Sequence, residues 1–278
     1  MKGLKGLKFA ILHHGYIEND FAWNVAVPKP GSIKEKNVLS EWIRVPTFSV
    51  LISHPDLGWI LYDAGPCLGD EKDRLPKFVQ EQFPLFSSRE NFLDKQLSLL
   101  NLTPEDISLV IVSHMHWDHA GGLSFFSDTR AGKNILVSEK DYSYGLTVTH
   151  HCSTEPFGGG GYFKDNFHFP GLTFNFIEED QSLAPGIDII TLGGHTPGVL
   201  GLVLHLESGT FIFPSDAVNM SRNYGPPMAY PGILYDSLGF QRTIKKLNLL
   251  QKKYNAKIIF PHDPLQFSSL ELAPYFYE

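Results

Sequence analysis

Short apolar runs punctuate this chain, each closed by turn-forming residues, and they predict strands. Phe9–Leu12, Phe48–Ser53, Trp59–Tyr62, Ile107–Ser113 and Ile135–Val137 have this form in the first half. Leu172–Ile177, Ile187–Leu192, Val199–Leu206, Thr210–Pro214 and Lys257–Phe260 have it in the second. His54-Pro-Asp-Leu-Gly58 and Glu207-Ser-Gly209 read as the turns of two hairpins. Helical spacing appears over Asn91–Leu100, with Phe92, Leu93, Leu97 and Leu100 on one face. It is clearest over Asp236–Tyr254, where Phe240, Ile244, Leu247 and Leu250 form an apolar stripe and the lysines lie mostly outside it. Shorter helical runs are predicted at Asp70–Gln82, interrupted near Pro76, at Leu123–Phe126 and at Glu139–Tyr142. Residues 15–46 and 145–170 show no period, and they predict loops beside a substrate pocket. The four-glycine run Gly158–Gly161 lacks the Lys-Ser/Thr of a phosphate cradle and reads as a mobile loop. Each half runs from strands to a helix, which suggests one domain over 1–278 with two facing sheets and helices outside.

The chemistry sits where these strands end. Ile107–Ser113 runs straight into His114-Met-His116-Trp-Asp118-His119-Ala-Gly-Gly122, four metal-ligand side chains in six positions. His114 and His116, two apart on extended backbone, can face the same ion. Asp118 and His119 follow as the chain turns toward a helix and face a neighbouring point. One ion cannot take all four, whereas two ions about 3.5–4 Å apart can, and such pairs drive hydrolysis. Three more strand ends are capped in the same way, by His195, Asp216 and His262. Five His and two Asp form a mixed N/O donor set suited to two divalent ions, zinc first and Mn, Fe or Co also tolerated. His13-His14 after the first apolar run reads as edge polarity and stays outside the site.

Composition narrows the partners. The chain has 278 residues, 42% of them hydrophobic, a net charge of −7 and no long Lys/Arg run, which argues against nucleic acid. No stretch approaches the ~18 apolar residues of a membrane span. The N-terminal apolar run Phe9–Leu12 is too short for the core of a signal peptide. Two distant cysteines, Cys67 and Cys152, fit free thiols in a reducing, cytoplasmic setting. The expected partner is a small molecule, and a homodimer is left open.

With these residues in view, the chain resembles the metallo-β-lactamase superfamily. His114-Met-His116-Trp-Asp118-His119 matches its His-x-His-x-Asp-His motif, and His195 (in Gly-His-Thr-Pro-Gly), Asp216 and His262 match its later ligands. Asp63-Ala-Gly65 resembles its early Asp-Thr-Gly turn. The resemblance implies an αββα sandwich of two mixed sheets flanked by helices. It implies that His114, His116 and His195 hold one metal, that Asp118, His119 and His262 hold the other, and that Asp216 bridges both. Within the superfamily the chain is similar to the N-acyl homoserine lactonase group, in size, in its N-terminal meander and in Ser-Asp-Ala after a strand. That likeness implies a hydrolase in which activated water opens a lactone or ester, with Asp118 at the centre, Asp216 carrying the proton and Asn219 or Tyr224 assisting the carbonyl. Those lactonases commonly carry a Tyr where this chain has Asn219, and many relatives have a second His where it has Val199. Asp63 reads either as an orienting partner of a ligand His or as a turn residue. Phe21, Trp23, Trp42, Phe157, Tyr162 and Phe163 are candidates for the pocket wall. Alternative readings are a thioesterase of glyoxalase II type, although only a short tail follows His262, and a metal-loaded protein without catalysis.

Overall fold

A computed structural model describes residues 3–66, 73, 75–151 and 161–278. Among these residues, twelve strands form two mixed sheets. In the first lie β1 (Lys8–Asp20), β2 (Trp42–His54), β3 (Gly58–Tyr62), β4 (Leu85–Phe86), β5 (Ile107–Ile111), β6 (Ile135–Ser138) and β7 (Phe174–Ile177). Their order is β4-β1-β2-β3-β5-β6-β7, antiparallel from β4 to β3 and parallel from β3 to β7. The second sheet holds β8 (Gln181–Ala184), β9 (Ile187–Leu192), β10 (Val199–Leu206), β11 (Gly209–Phe213) and β12 (Lys257–Ile258), in the order β12-β11-β10-β9-β8.

The sheets pack face to face because alternate side chains point to opposite sides of each strand. Phe9, Ile11, Val50, Ile52, Ile60 and Ile111 of the first sheet meet Ile187, Ile189, Leu200, Leu202, Leu204 and Phe213 of the second in one buried core. The intervening positions face outward. Leu12, Leu51, Leu61 and Val110 are covered by Leu93 and Leu97 of helix 93–98 and by Leu123 and Phe126. Val199, Val203 and Ile212 are covered by Phe240, Ile244 and Leu247 of helix 237–254. This is the αββα sandwich, and it explains why β10 is buried at every position. No helix among the described residues is long and apolar enough to cross a membrane.

The N-terminal meander is more ordered than its sequence suggested. β1 continues past Leu12 to Asp20 and pairs with β2 as far as Trp42, with a bulge between His13 and Gly15. Only the middle of residues 15–46 is irregular, opening with a helical turn at Phe21–Asn24 capped by the Asp20 carboxylate. His14 therefore lies inside a strand. Burial pushes its imidazole down to about 4, and it is held by Ser49 Oγ at 2.7 Å and Asn91 O at 2.9 Å. The other expected loop begins as helix, since Glu139–His151 is helical throughout. Phe157, Gly158–Gly160, Cys67 and Cys152 lie outside the described residues.

Candidate metal centre

The centre is assembled where β5, β9 and β11 end and where the chain leaves β12. After β5 the chain bends at Ser113, and His116 caps a single helical turn, Trp117–Ala120, which carries Asp118 and His119. That turn is pinned from two sides. Ala64 N donates to His119 O at 2.8 Å, and Gly122 N donates to Gly65 O at 3.1 Å. The chains run so close that a Cβ at Gly122 would stand 2.2 Å from Ala64 O. Gly122→Ala should therefore cost about 1–3 kcal/mol and loosen the turn; urea unfolding against wild type, with metal content, measures both.

Asp63 organises the first half of the site. Its Oδ1 accepts from Ser113 N at 2.7 Å, and its Oδ2 accepts from His119 Nδ1 at 2.8 Å and from Ser113 Oγ at 2.9 Å. It does so in a left-handed conformation, φ +62°, which an Asp tolerates better than most residues. Of its two sequence readings, the orienting partner is the one its contacts match. Ser113 Oγ also receives Ser215 Oγ at 2.8 Å, which joins the Asp63 turn to the turn that carries Asp216. His114 Nδ1 is directed at Ser113 Oγ, 3.0 Å away, so its Nε2 lone pair faces inward. His262 Nδ1 donates to Pro46 O at 2.9 Å and likewise presents Nε2. Asp141 was not legible in the sequence, where it is an ordinary acidic residue in a helix's first turn. It is fully buried, and burial raises its carboxyl to about 6. It accepts from Met115 N at 2.7 Å and from Tyr162 Oη at 2.6 Å, fixing the segment between the first two histidines and the ring that packs on His116.

The seven predicted ligand residues are brought together in two groups. Donor atoms of His114, His116 and His195 lie within 4.8 Å of one another, and so do those of Asp118, His119, Asp216 and His262. Asp216 faces both groups. Its Oδ1 is 3.2 Å from His119 Nε2 and from His262 Nε2, and its Oδ2 is 3.4 Å from His195 Nε2. His195 Nε2 lies 3.0 Å from His116 Nδ1. A cation bound tetrahedrally at 2.0–2.1 Å sets neighbouring donors about 3.3 Å apart, and these separations match that edge. His114 Nε2 is buried with no hydrogen-bond partner, and His119 Nε2 and Asp216 Oδ1 meet without hydrogen-bond geometry. Buried polar atoms are rarely left so, and the donor set fits a pair of divalent cations.

The local field agrees. Burial, reinforced by neighbouring imidazoles, holds His114 and His116 well below the ordinary histidine range. Burial opposes charge on Asp216, but His262, His119 and His195 outweigh it and hold its carboxyl well below the usual range. Burial likewise opposes charge on His119, and Asp118, Asp216 and Asp63 overcome it and raise its pKa well above the ordinary value. A pocket that draws a proton onto a buried imidazole favours positive charge at that point.

The centre forms the floor of a cleft of about 920 Å³. Its walls are apolar: Ile17, Val45, Trp23, Phe78, Val79, Phe83 and Ile233, with the Trp23 ring 5.4 Å from that of Phe83. Asn219 lines the cleft, and its buried Oδ1 lacks a partner. Tyr224 does not reach it. The helical turn Ser221–Tyr224 rotates the ring onto Phe260, and its hydroxyl donates to Gln251 Oε1 at 2.9 Å. Of the six aromatics expected in the wall, Trp23 lines the cleft, and Phe163 packs behind it with Ile17, Val45 and Trp117. Phe21 lies under Arg222, Trp42 bonds Glu18 at the surface, and Tyr162 is buried on Asp141. The sequence reading passed over Phe78 and Phe83, which do line it.

This fold and centre are those of the metallo-β-lactamase superfamily, whose model matches residues 42–261, and the chain belongs to it. Among its relatives are N-acyl homoserine lactonases. AiiB of Agrobacterium fabrum is 32% identical over 275 residues, covering 95% of this chain and 96% of that one. AiiA of Bacillus thuringiensis subsp. kurstaki is 28% identical over 236 residues, covering 84% and 87%. A crystal structure of a B. thuringiensis AiiA variant with N-decanoyl-L-homoserine at its active site superposes with a TM-score of 0.79, at 24% identity and over 100% of both chains.

Proposed function

We propose that this protein opens the lactone ring of N-acyl homoserine lactones by metal-dependent hydrolysis. The observation that carries the reading is a single carboxylate, Asp216, set between two convergent donor groups on the floor of an apolar cleft. His114, His116 and His195 would hold one ion, Asp118, His119 and His262 the other, and Asp216 both. Zinc suits five imidazoles and two carboxylates. Two divalent cations, when bound, polarise a carbonyl and bring the pKa of water from 15.7 to about 7. The chain's own groups do the rest. Asp216, ionised and central, accepts the proton of the attacking water. It then returns that proton to the alkoxide released as the ring carbon–oxygen bond breaks. The Asn219 amide, which lines the cleft, would donate to the substrate carbonyl. Asp63 keeps His119 in the tautomer that presents Nε2. The product is the open-chain N-acyl homoserine. A chain with only two cysteines, far apart in sequence, suits a cytoplasmic setting.

The apolar walls suit an acyl chain. Each methylene buried there should raise kcat/KM by up to about fourfold until the cleft is filled. Phe83→Ala should flatten that rise. The test is turnover across butanoyl to decanoyl homoserine lactones with and without chelator, beside S-lactoylglutathione and aryl esters. Chelator-sensitive lactone opening that rises with chain length is expected. Preference for the thioester, or turnover indifferent to chelator, would overturn the reading.

A further inference from the structure

β1 carries one residue more than β2 can pair. Leu12 pairs with Ser49, His13 with Phe48 and Gly15 with Thr47, so His14 is the extra residue of the bulge. A bulge leaves backbone groups outside the ladder and re-aims the side chain it carries. Helix 93–98 and the residues just before it answer both effects. His13 N donates to Gln96 Oε1 at 2.9 Å, and Asn91 Nδ2 donates to His13 O at 3.2 Å. The His14 ring is fully buried. Its proton is assigned to Nδ1, because the Asn91 carbonyl facing that atom can only accept. Nε2 then accepts from Ser49 Oγ. Burial keeps the ring uncharged at neutral pH.

The ring held in this way lies against the Asp63 turn. A Cβ at Gly65 would stand 2.6 Å from His14 Cδ2 and 2.9 Å from its Cγ and Nε2. Gly65 also bridges Ala120, and its carbonyl accepts from Gly122 N, while Ala64 N donates to His119 O. The turn is therefore clamped between a tethered imidazole and the helical turn that carries Asp118 and His119. Close-packed groups transmit a displacement rather than absorb it. A side chain that only filled space would need no polar partners. An imidazole bonded at both nitrogens fixes its own orientation as well as the volume it fills.

We propose that His14 is a positioning residue for the metal centre. Its ring backs the Asp63–Gly65 turn, fixes where the Asp63 carboxylate meets His119 Nδ1, and so sets the geometry of the donor group of Asp118, His119, Asp216 and His262. The inference rests on the paired metal centre and adds to it a residue about fifty positions before the Asp63 turn. It gives the second histidine of the His13-His14 pair a role at the centre rather than at a strand edge.

The test is a titration of the full-length apoprotein with Co²⁺, in which d–d absorption and chelator competition resolve the stepwise affinities. Wild type should take up two ions. His14→Ala, its fold checked by circular dichroism, should weaken one of them by about tenfold, the low end of the cost of losing a partner behind a ligand histidine, and the other by no more than about threefold. In an Asp63→Asn background the same substitution should add less than about threefold, because the carboxylate through which it acts is already altered. Ser49→Ala keeps the ring and frees its Nε2, and this milder variant should weaken the same ion by about threefold, the worth of one hydrogen bond. A ring that merely filled the core would lower the apoprotein's unfolding midpoint and leave both affinities within about twofold of wild type. That result in both single variants would overturn the inference while the paired centre stands. Losses that multiply in full with Asp63→Asn would overturn it too. A wild type that takes up fewer than two ions would overturn the paired centre and the inference together.

Discussion

Asp216→Ala should abolish turnover, lowering kcat by about 10³-fold or more, and should release metal. Among the described residues, Asp216 is the one whose two oxygens face both donor groups, at 3.2 Å from His119 and His262 and 3.4 Å from His195. Two divalent cations bring +4 against −2 from Asp118 and Asp216. Without Asp216 they would face −1, and their mutual repulsion would expel at least one. The same residue moves the proton in the proposed reaction, so affinity and chemistry fail together. Elemental analysis beside single-turnover kinetics separates these losses. Turnover that survives the loss of metal would refute the mechanism.

Asp63→Asn should be nearly as damaging, although Asp63 lies outside both donor groups. Its two oxygens accept from three donors: Ser113 N, Ser113 Oγ and His119 Nδ1. An asparagine offers one oxygen. If the amide oxygen serves Ser113, the amide nitrogen faces His119 Nδ1 and forces its proton onto Nε2, the atom proposed to hold a metal. If the amide is turned, two donors confront each other at Ser113 N. Either arrangement should weaken metal binding by about 10–100-fold, the usual cost of losing such a partner. Asparagine tolerates the left-handed backbone at this position as well as aspartate does, so the effect should appear in metal affinity, with the apoprotein's unfolding midpoint nearly unchanged. Competition with a chromophoric chelator gives the affinity.

The site was legible because its ligands cap strands. An apolar run predicts a strand, a histidine or aspartate just past it is placed at the sheet's edge, and four such ends converge when the sheets stack. Residues that act at a distance in sequence left less trace. Asp141 is tied to Met115 and Tyr162 by tertiary contacts alone. Tyr224, six residues past the turn of Asp216, looked close, yet one helical turn directs it to Gln251. β1 beyond Leu12 was hidden because Gly15 interrupts its alternation and Glu18-Asn-Asp20 is polar, while pairing with β2 carries it on. The cleft wall was hardest, since an aromatic residue's identity does not say which surface it covers. Trp42 and Phe86 are half exposed, whereas Phe78 and Phe83 turn into the cleft.

The most direct measurement is an anomalous-scattering map, at the zinc edge, of crystals grown with zinc. Two peaks about 3.5–4 Å apart are expected, one against His114, His116 and His195, the other against Asp118, His119 and His262, with Asp216 touching both. A single peak, or peaks away from Asp216, would contradict a paired centre.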